Sequence, residues 1–111
     1  MAANLQVISG VLVLNKKEGS ADVHFGEGII TGDVDVTNSI FNGPSRNFRH
    51  DPHVLVSPTC LTLSTRDNTS YSITRKVDSK KLNVQWKIDM VGLQLQVDYL
   101  VIGVPEFIPT E

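Results

Sequence analysis

The 111-residue sequence contains little of several residue types, and each shortage excludes a class of protein. It has a single cysteine, Cys60, so neither an internal disulfide nor a thiolate zinc cluster can form. No apolar run is long enough to span a bilayer, and the first residues lack the basic and apolar regions of a signal peptide. The formal net charge is −2, whereas non-specific binding to a phosphate backbone needs a basic surface. We therefore expect no membrane insertion and no nucleic-acid partner. We expect a cytoplasmic location, release by a non-classical route, or a place in a particle.

The sequence also lacks a recognisable catalytic constellation. A serine nucleophile needs a histidine base and an orienting acid, and no serine lies in a Gly-x-Ser-x-Gly turn. The segment His50-Asp51-Pro52-His53 has metal-ligand types, but alternation sends adjacent side chains apart, so we interpret it as a loop that enters a strand. The prediction is a protein that is not an enzyme and has no metal site or cofactor. Calcium is kept as an alternative because four aspartates could supply oxygen ligands from separate loops: Asp33, Asp35, Asp67 and Asp89.

What the sequence does contain is alternation of apolar and polar residues with a period of two. The longest run places its apolar members on one strand face: Leu93, Leu95, Val97, Tyr99 and Val101. Similar runs cover 7–13, 33–37, 54–56, 61–64, 71–77 and 82–88. Strands with one buried face are typical of antiparallel sheets. The sequence therefore predicts an all-β fold, an antiparallel β-sandwich of about six or seven short strands.

The end of the last strand is apolar on both faces. We expect one sandwich domain over 1–104 and an extended tail over 105–111, which contains two prolines. Leu100 and Ile102 lie on the strand face that otherwise carries polar residues. Either a loop covers this face or a partner subunit does, and the second alternative suits a small domain without disulfides. The candidate residues of such an oligomer interface are Leu100, Ile102 and Phe107.

Several strand patterns follow one another in an order that resembles a known family. They are Leu5–Gly10, Phe48 with Pro52–Ser57, Tyr71–Ile73 with Val77, and Val97–Gly103. This order is similar to that of the H-type lectin domain, which occurs in snail agglutinin, in slime-mould discoidins and in phage tail fibres. The resemblance covers most of the chain, from Val7 to about Val104.

The resemblance implies a trimer, or a hexamer of two trimers, with clefts between subunits that bind sugars of the galactose and N-acetylgalactosamine class. It places Thr69 at or near the position of a binding arginine, and Asp89 or Met90 at the position of a binding tryptophan. The family also has an acidic site residue in the N-terminal half, and Glu27 is the candidate here. Asp67 completes the set of candidate carbohydrate-binding residues, because carboxylates hydrogen-bond sugar hydroxyls.

Two functions therefore remain open. The first is a carbohydrate-binding module that recognises terminal sugars through the multivalent contacts of an oligomer. The second is a non-catalytic structural or adhesion domain of a virion or tail-fibre type of assembly, with no defined sugar site. The expected partners are glycans or glycoproteins and further copies of the same chain.

Overall fold

A computed structural model describes residues 5–60, 71–88 and 95–106. All regular structure in these ranges is β-strand: β1 (Gln6–Val13), β2 (Glu18–His24), β3 (Ile29–Gly32), β4 (Ile40–Asn42), β5 (His53–Cys60), β6 (Tyr71–Val77), β7 (Lys81–Ile88) and β8 (Leu95–Gly103). The first sheet has the strand order β4-β1-β8-β5, and the second sheet has the order β3-β2-β7-β6. The six strand pairs in the described ranges are all antiparallel, so the predicted all-β sandwich is confirmed.

The described ranges hold eight strands rather than six or seven. The additional elements include β3 and β4, which have four and three residues and are too short for alternation to reveal them. No helix in the described ranges could span a membrane. The start of the predicted tail is tied to the domain, because Pro105 forms a bridge with Phe48 and the amide of Glu106 donates to the carbonyl of Asn47. The rest of the predicted tail, residues 107–111, lies outside the described residues.

The core lies between the two sheets, where the alternation of β7 and β8 predicts it. Seven inward side chains of these strands are buried: Leu82, Val84, Trp86 and Ile88 on β7, and Val97, Tyr99 and Val101 on β8. Trp86 also satisfies its polar atom, because its Nε1–H donates to the carbonyl of Lys16 at 3.0 Å. Burial of each large apolar side chain contributes about 1.5–3 kcal/mol, so this two-sided core is the main source of stability.

The apolar run over 7–13 does not identify the face of β1 that enters the core. Val7, Val11 and Val13 share one face, of which only Val13 is buried, whereas the core side chains of this strand are Ile8 and Leu12. Val7 is 46% exposed on the opposite side. Both faces of β1 carry aliphatic residues, so alternation alone does not identify the inward one. Pairing with β8 decides it, because Ile8 lies opposite the buried Val101.

The predicted strand over 33–37 is also wrong. Val34 makes a single bridge with Leu14, and the chain then turns. The Asp35 carboxylate accepts hydrogen bonds from the Thr37 amide at 3.1 Å, the Thr37 hydroxyl at 2.6 Å and Asn38 Nδ2 at 2.7 Å. These bonds, the Thr37 hydroxyl foremost, hold the pKa of Asp35 below its usual value. Aspartate that binds the following backbone is typical of turns, and here it prevails over the alternation.

One position of β1 can only be glycine. The Tyr99 hydroxyl donates to the Ile40 carbonyl at 2.7 Å, and its ring crosses Gly10 to reach it. A Cβ atom at Gly10 would overlap the Ile40 carbonyl oxygen and the Tyr99 hydroxyl, and it would lie 2.7 Å from Tyr99 Cζ. Burial raises the pKa of Tyr99, so the hydroxyl remains a donor. Because Gly10 has no side chain, Tyr99 of β8 can reach across β1 and hydrogen-bond the short edge strand β4.

Candidate functional site

The outward side of the first sheet is a continuous surface built by cross-strand neighbours. The register places Ile102 between His53 and Val7, and Leu100 between Leu55 and Ser9. We call this surface the outer apolar face, and its members are Val7, Ser9, Val11, Ile40, Asn42, His53, Leu55, Ser57, Asp98, Leu100 and Ile102. Side chains directly opposite on neighbouring strands lie within contact distance, so the aliphatic members form one patch.

This face is accessible despite its composition. Leu55 is 66% exposed, Ile40 48% and Val7 46%, while Leu100 and Ile102 are half-buried by their neighbours. Single exposed aliphatic residues are ordinary on a protein surface, whereas contiguous ones mark a surface that binds something.

The outward side of the second sheet is polar, in contrast to the outer apolar face of the first sheet. Its members are polar except for Ile29 at one corner: Glu18, Ser20, Asp22, His24, Thr31, Ser72, Thr74, Lys76, Lys81, Asn83, Gln85 and Lys87. Asn83 Nδ2 donates to Asp22 Oδ1 at 2.8 Å, and Gln85 Nε2 donates to Asn83 Oδ1 at 3.3 Å. We call it the outer polar face. Its side chains bond to one another and to solvent, as expected of a surface that stays in water.

The outer apolar face carries little charge. Asp98 is its one carboxylate, and this group accepts a hydrogen bond from Gln96 Nε2 at 2.8 Å. His53 lies at the far end, beside Ile102. Removing a carboxylate from water costs less free energy when the carboxylate already accepts a hydrogen bond from the protein. The Gln96 amide satisfies one Asp98 oxygen but does not neutralise its charge, so we expect an occupant of this face to leave the Asp98 carboxylate in contact with water.

A groove extends this face beyond Ile102. It has a volume of about 330 Å³, and it is lined by Leu5, His50, Asp51, Pro52, His53, Ile102, Gly103 and Val104. Leu5 is 62% exposed at its edge. The groove lengthens the apolar surface along the strand direction.

Metal-ligand residue types do not converge in the part of the chain that the structure describes. No three His, Cys, Asp or Glu side chains lie close enough there to hold a metal ion. Of the aspartates considered for calcium, Asp33 is engaged by Lys16 Nζ at 3.2 Å and by the Ser20 amide at 3.1 Å, and these bonds, the Ser20 amide foremost, lower the pKa of Asp33. The Asp35 carboxylate accepts hydrogen bonds from its own turn, and Asp67 and Asp89 lie outside the described residues.

Glu27 lies in a small polar cleft at the β2–β3 turn. The cleft has a volume of about 290 Å³ and is lined by His24, Gly26, Glu27, Asn47 and Lys80. Its far wall comes from the long connection between β4 and β5, which is anchored to the domain. Gln6 Nε2 donates to the Arg46 carbonyl at 2.7 Å, and the Phe48 amide donates to the Ser79 carbonyl at 2.8 Å. A carboxylate, an amide, an imidazole and an ammonium group thus share one mouth and can hydrogen-bond a polar ligand.

No Phe, Tyr or Trp side chain lines the Glu27 cleft, and Phe41 on β4 is half-buried against the core. Phe25, Phe48, Trp86 and Tyr99 are all buried, and Phe25 and Phe48 pack edge to face with ring centroids 5.0 Å apart. Sugars bury their apolar face against exposed rings in many binding sites. The Glu27 cleft offers hydrogen bonds without such a ring.

The structure separates the predicted site residues. Leu100 and Ile102 lie on the outer apolar face, and Glu27 lies in the polar cleft. The other candidates, Asp67, Thr69, Asp89 and Phe107, lie outside the described residues.

Sequence reasoning missed other aliphatic members of the outer apolar face, above all Leu55 and Ile40. Leu55 gave a usable signal, because it is apolar where the alternation of Val54 and Val56 predicts a polar residue.

Comparisons of the chain with family models, with curated proteins and with solved structures gave no match. The resemblance to the H-type lectin domain therefore stays a prediction. The fold and the surface together define an antiparallel β-sandwich with one apolar and one polar outer face.

Proposed function

We propose that this protein is a non-catalytic assembly domain that pairs with a second copy of itself through the outer apolar face. The observation that carries the proposal is the contiguity of Leu55, Leu100, Ile102 and Val7 across three neighbouring strands. Water-exposed aliphatic surface of this kind is removed from solvent by association.

The energy available from this face is substantial for a small domain. Complete burial of a leucine contributes about 1.5–3 kcal/mol, so covering the two-thirds of Leu55 that is exposed contributes about 1–2 kcal/mol. In a two-fold interface each residue acts twice, which doubles the contribution of this position to about 2–4 kcal/mol. Ile40 and Val7 add to it on each copy.

Size and charge favour a second copy as the occupant. Four strands spaced by about 4.8 Å, and rows five residues long at about 3.3 Å each, give a flat footprint of about 300 Å², which the groove beside Leu5 enlarges. Two such footprints give about 600 Å² in total, below the range for stable complexes, so the dimer that we expect is weak and reversible. With Asp98 as its one carboxylate the face offers a highly charged partner little ion pairing, and the repulsion between two copies is limited to that one group on each. Because the outer face of the second sheet is polar, each copy has one apolar face to pair. Association therefore stops at a closed two-fold dimer.

Sedimentation velocity over a range of concentrations tests this proposal. The wild-type protein is expected to dimerise reversibly, and Leu55→Ser is expected to weaken the dimer about 30-fold or more. Ile29→Ser is the matched control, because Ile29 is a 44% exposed aliphatic residue on the outer polar face, and its loss should leave the dimer unchanged. A wild-type protein that stays monomeric, or equal effects of the two variants, would refute the proposal.

Glycan binding is the second candidate, and the Glu27 cleft is the observation that favours it. Its carboxylate, amide and ammonium groups suit the hydroxyls of a sugar, in line with the resemblance to H-type lectins. A glycan array on the native protein, run with and without calcium and with free-sugar competition, tests it. Competable binding that Glu27→Gln abolishes and Glu18→Gln preserves would establish this function. A blank array with a verified dimer would leave assembly as the function.

A further inference from the structure

The strand β5 lies at the edge of the first sheet. It pairs with β8 along its whole length, and among the described residues no strand pairs with its other side. With eight residues it is the longest edge strand in the described ranges. Exposed edges of this length are templates on which another strand can add, and natural proteins usually block them.

Two features occupy the free edge of β5. Successive residues of an antiparallel strand direct their backbone N–H and C=O groups to alternate sides. The Val54 carbonyl accepts a hydrogen bond from Arg75 Nη1 at 2.9 Å, so the backbone of Val54 points away from β8. Val56 and Pro58, two and four residues later, point the same way. Pro58 has no N–H, so an arriving strand finds no donor there.

Arg75 reaches this edge from the other sheet. It lies on β6, opposite Val84 of β7, and its side chain crosses the open flank of the sandwich to the Val54 carbonyl. Hydrogen bonds from a charged donor are stronger than those between neutral groups, so this acceptor is firmly occupied. Val56, which lies between these two blocked positions, keeps both its N–H and its C=O available to a new strand.

The flank needs such protection. A cleft of about 300 Å³ lies between the two edge strands, lined by Val56, Pro58, Ile73 and Arg75. Val56 and Ile73 are half-buried and pack against the core. A strand that joined here would bury apolar surface as well as form hydrogen bonds. Arg75 has no carboxylate partner within 4 Å among the described residues, so a strand that covered it would leave its charge unpaired.

We infer that Arg75 and Pro58 close the free edge of β5 to strand addition, and so confine association of this protein to its faces. Arg75 occupies the Val54 acceptor, and Pro58 removes the donor at the other end of the edge. The inference rests on the β5 edge alone and stands whether or not the outer apolar face dimerises.

The test removes both blocks from the β5 edge in a variant whose outer apolar face no longer supports dimerisation. Leu55→Ser serves as the background, and Arg75→Met with Pro58→Val removes the charge and restores the missing N–H. The matched control is Lys76→Met in the same background, because Lys76 is the neighbouring cation on β6 and its side chain belongs to the outer polar face. Sedimentation, thioflavin T fluorescence and hydrogen exchange at the Val56 amide are measured on each protein.

The reopened protein is expected to associate at least about tenfold more tightly than the control, with protection of the Val56 amide that grows with concentration. A folded variant that stays monomeric with an unprotected Val56 amide would overturn the inference. If the double substitution prevents folding, Pro58→Val and Arg75→Met are measured separately, because each removes one of the two blocks and at least one of them should associate more tightly than the background. Two folded single variants that both associate no more than their background would then overturn the inference.

Discussion

Replacing Gly10 by alanine should damage this fold far more than a glycine-to-alanine change in a strand usually does. On an ordinary strand the change would stabilise by about 0.5–1 kcal/mol, because alanine loses less backbone entropy. Here the new Cβ would overlap the Ile40 carbonyl and the Tyr99 hydroxyl. The ring of Tyr99 is only 3% exposed and has no open direction in which to move.

The magnitude follows from what the overlap disrupts. The hydrogen bond from Tyr99 to the Ile40 carbonyl contributes about 1 kcal/mol, and overpacking of a close-packed core costs about 1–3 kcal/mol. After the backbone gain is subtracted, we expect Gly10→Ala to lower the free energy of unfolding by about 1–3.5 kcal/mol. For a domain of this length that corresponds to a fall in Tm of roughly 4–14 °C.

A double-mutant cycle by urea denaturation measures this contact. Tyr99→Leu removes the part of the overlap that the ring causes, so Gly10→Ala should cost at least about 1 kcal/mol less in that background than in the wild type. Gly10→Ala with wild-type or higher stability would show that β1 and β8 do not pack as described. Equal costs in the two backgrounds would show that the Tyr99 ring is not what Gly10 accommodates.

Two further predictions concern pH. Burial raises the pKa of Tyr99, so the unfolded chain loses the phenolic proton first, and the stability from this group is complete below about pH 10 and falls above it. Tyr99→Phe should be about 1 kcal/mol less stable at neutral pH, and urea titrations should show this deficit shrinking above about pH 10; a deficit independent of pH would contradict the assignment. The hydrogen bonds from Thr37 and Asn38 lower the pKa of Asp35 below its ordinary value of 3.8. The stability that the Asp35 carboxylate contributes is therefore complete above about pH 3.8 and is lost as the pH falls through the lowered pKa. Asp35→Asn should therefore be less stable than wild type at neutral pH and lose that difference in acid, which thermal melts against pH would show.

The sequence predicts the fold best where one strand face is polar. On β7 the apolar residues Leu82, Val84 and Trp86 alternate with polar ones, so the inward face could be identified and is buried. On β1 both faces are aliphatic, and the choice depends on pairing with β8, which local alternation does not contain. At 33–37 the bonds that the Asp35 side chain makes within its own turn prevailed over a pattern typical of a strand.

The candidate sites depend on neighbours that are distant in sequence. Leu100 and Ile102 could be selected from one strand, but their contiguity with Leu55 and Val7 requires the strand order β1-β8-β5. Only a topology supplies that order. The Glu27 cleft likewise depends on Asn47, which a separate connection brings to the β2–β3 turn. Sequence pattern gives the face of a residue, and the sheet order gives its neighbours.

The central claim is that the outer apolar face pairs with itself, and backbone amide chemical shifts followed on dilution test it most directly. We predict concentration-dependent shifts at Leu55, Leu100 and Ile102, and constant shifts at Asn83 and Gln85 on the outer polar face. Shifts that do not change with concentration, or that change on the outer polar face instead, would contradict the account.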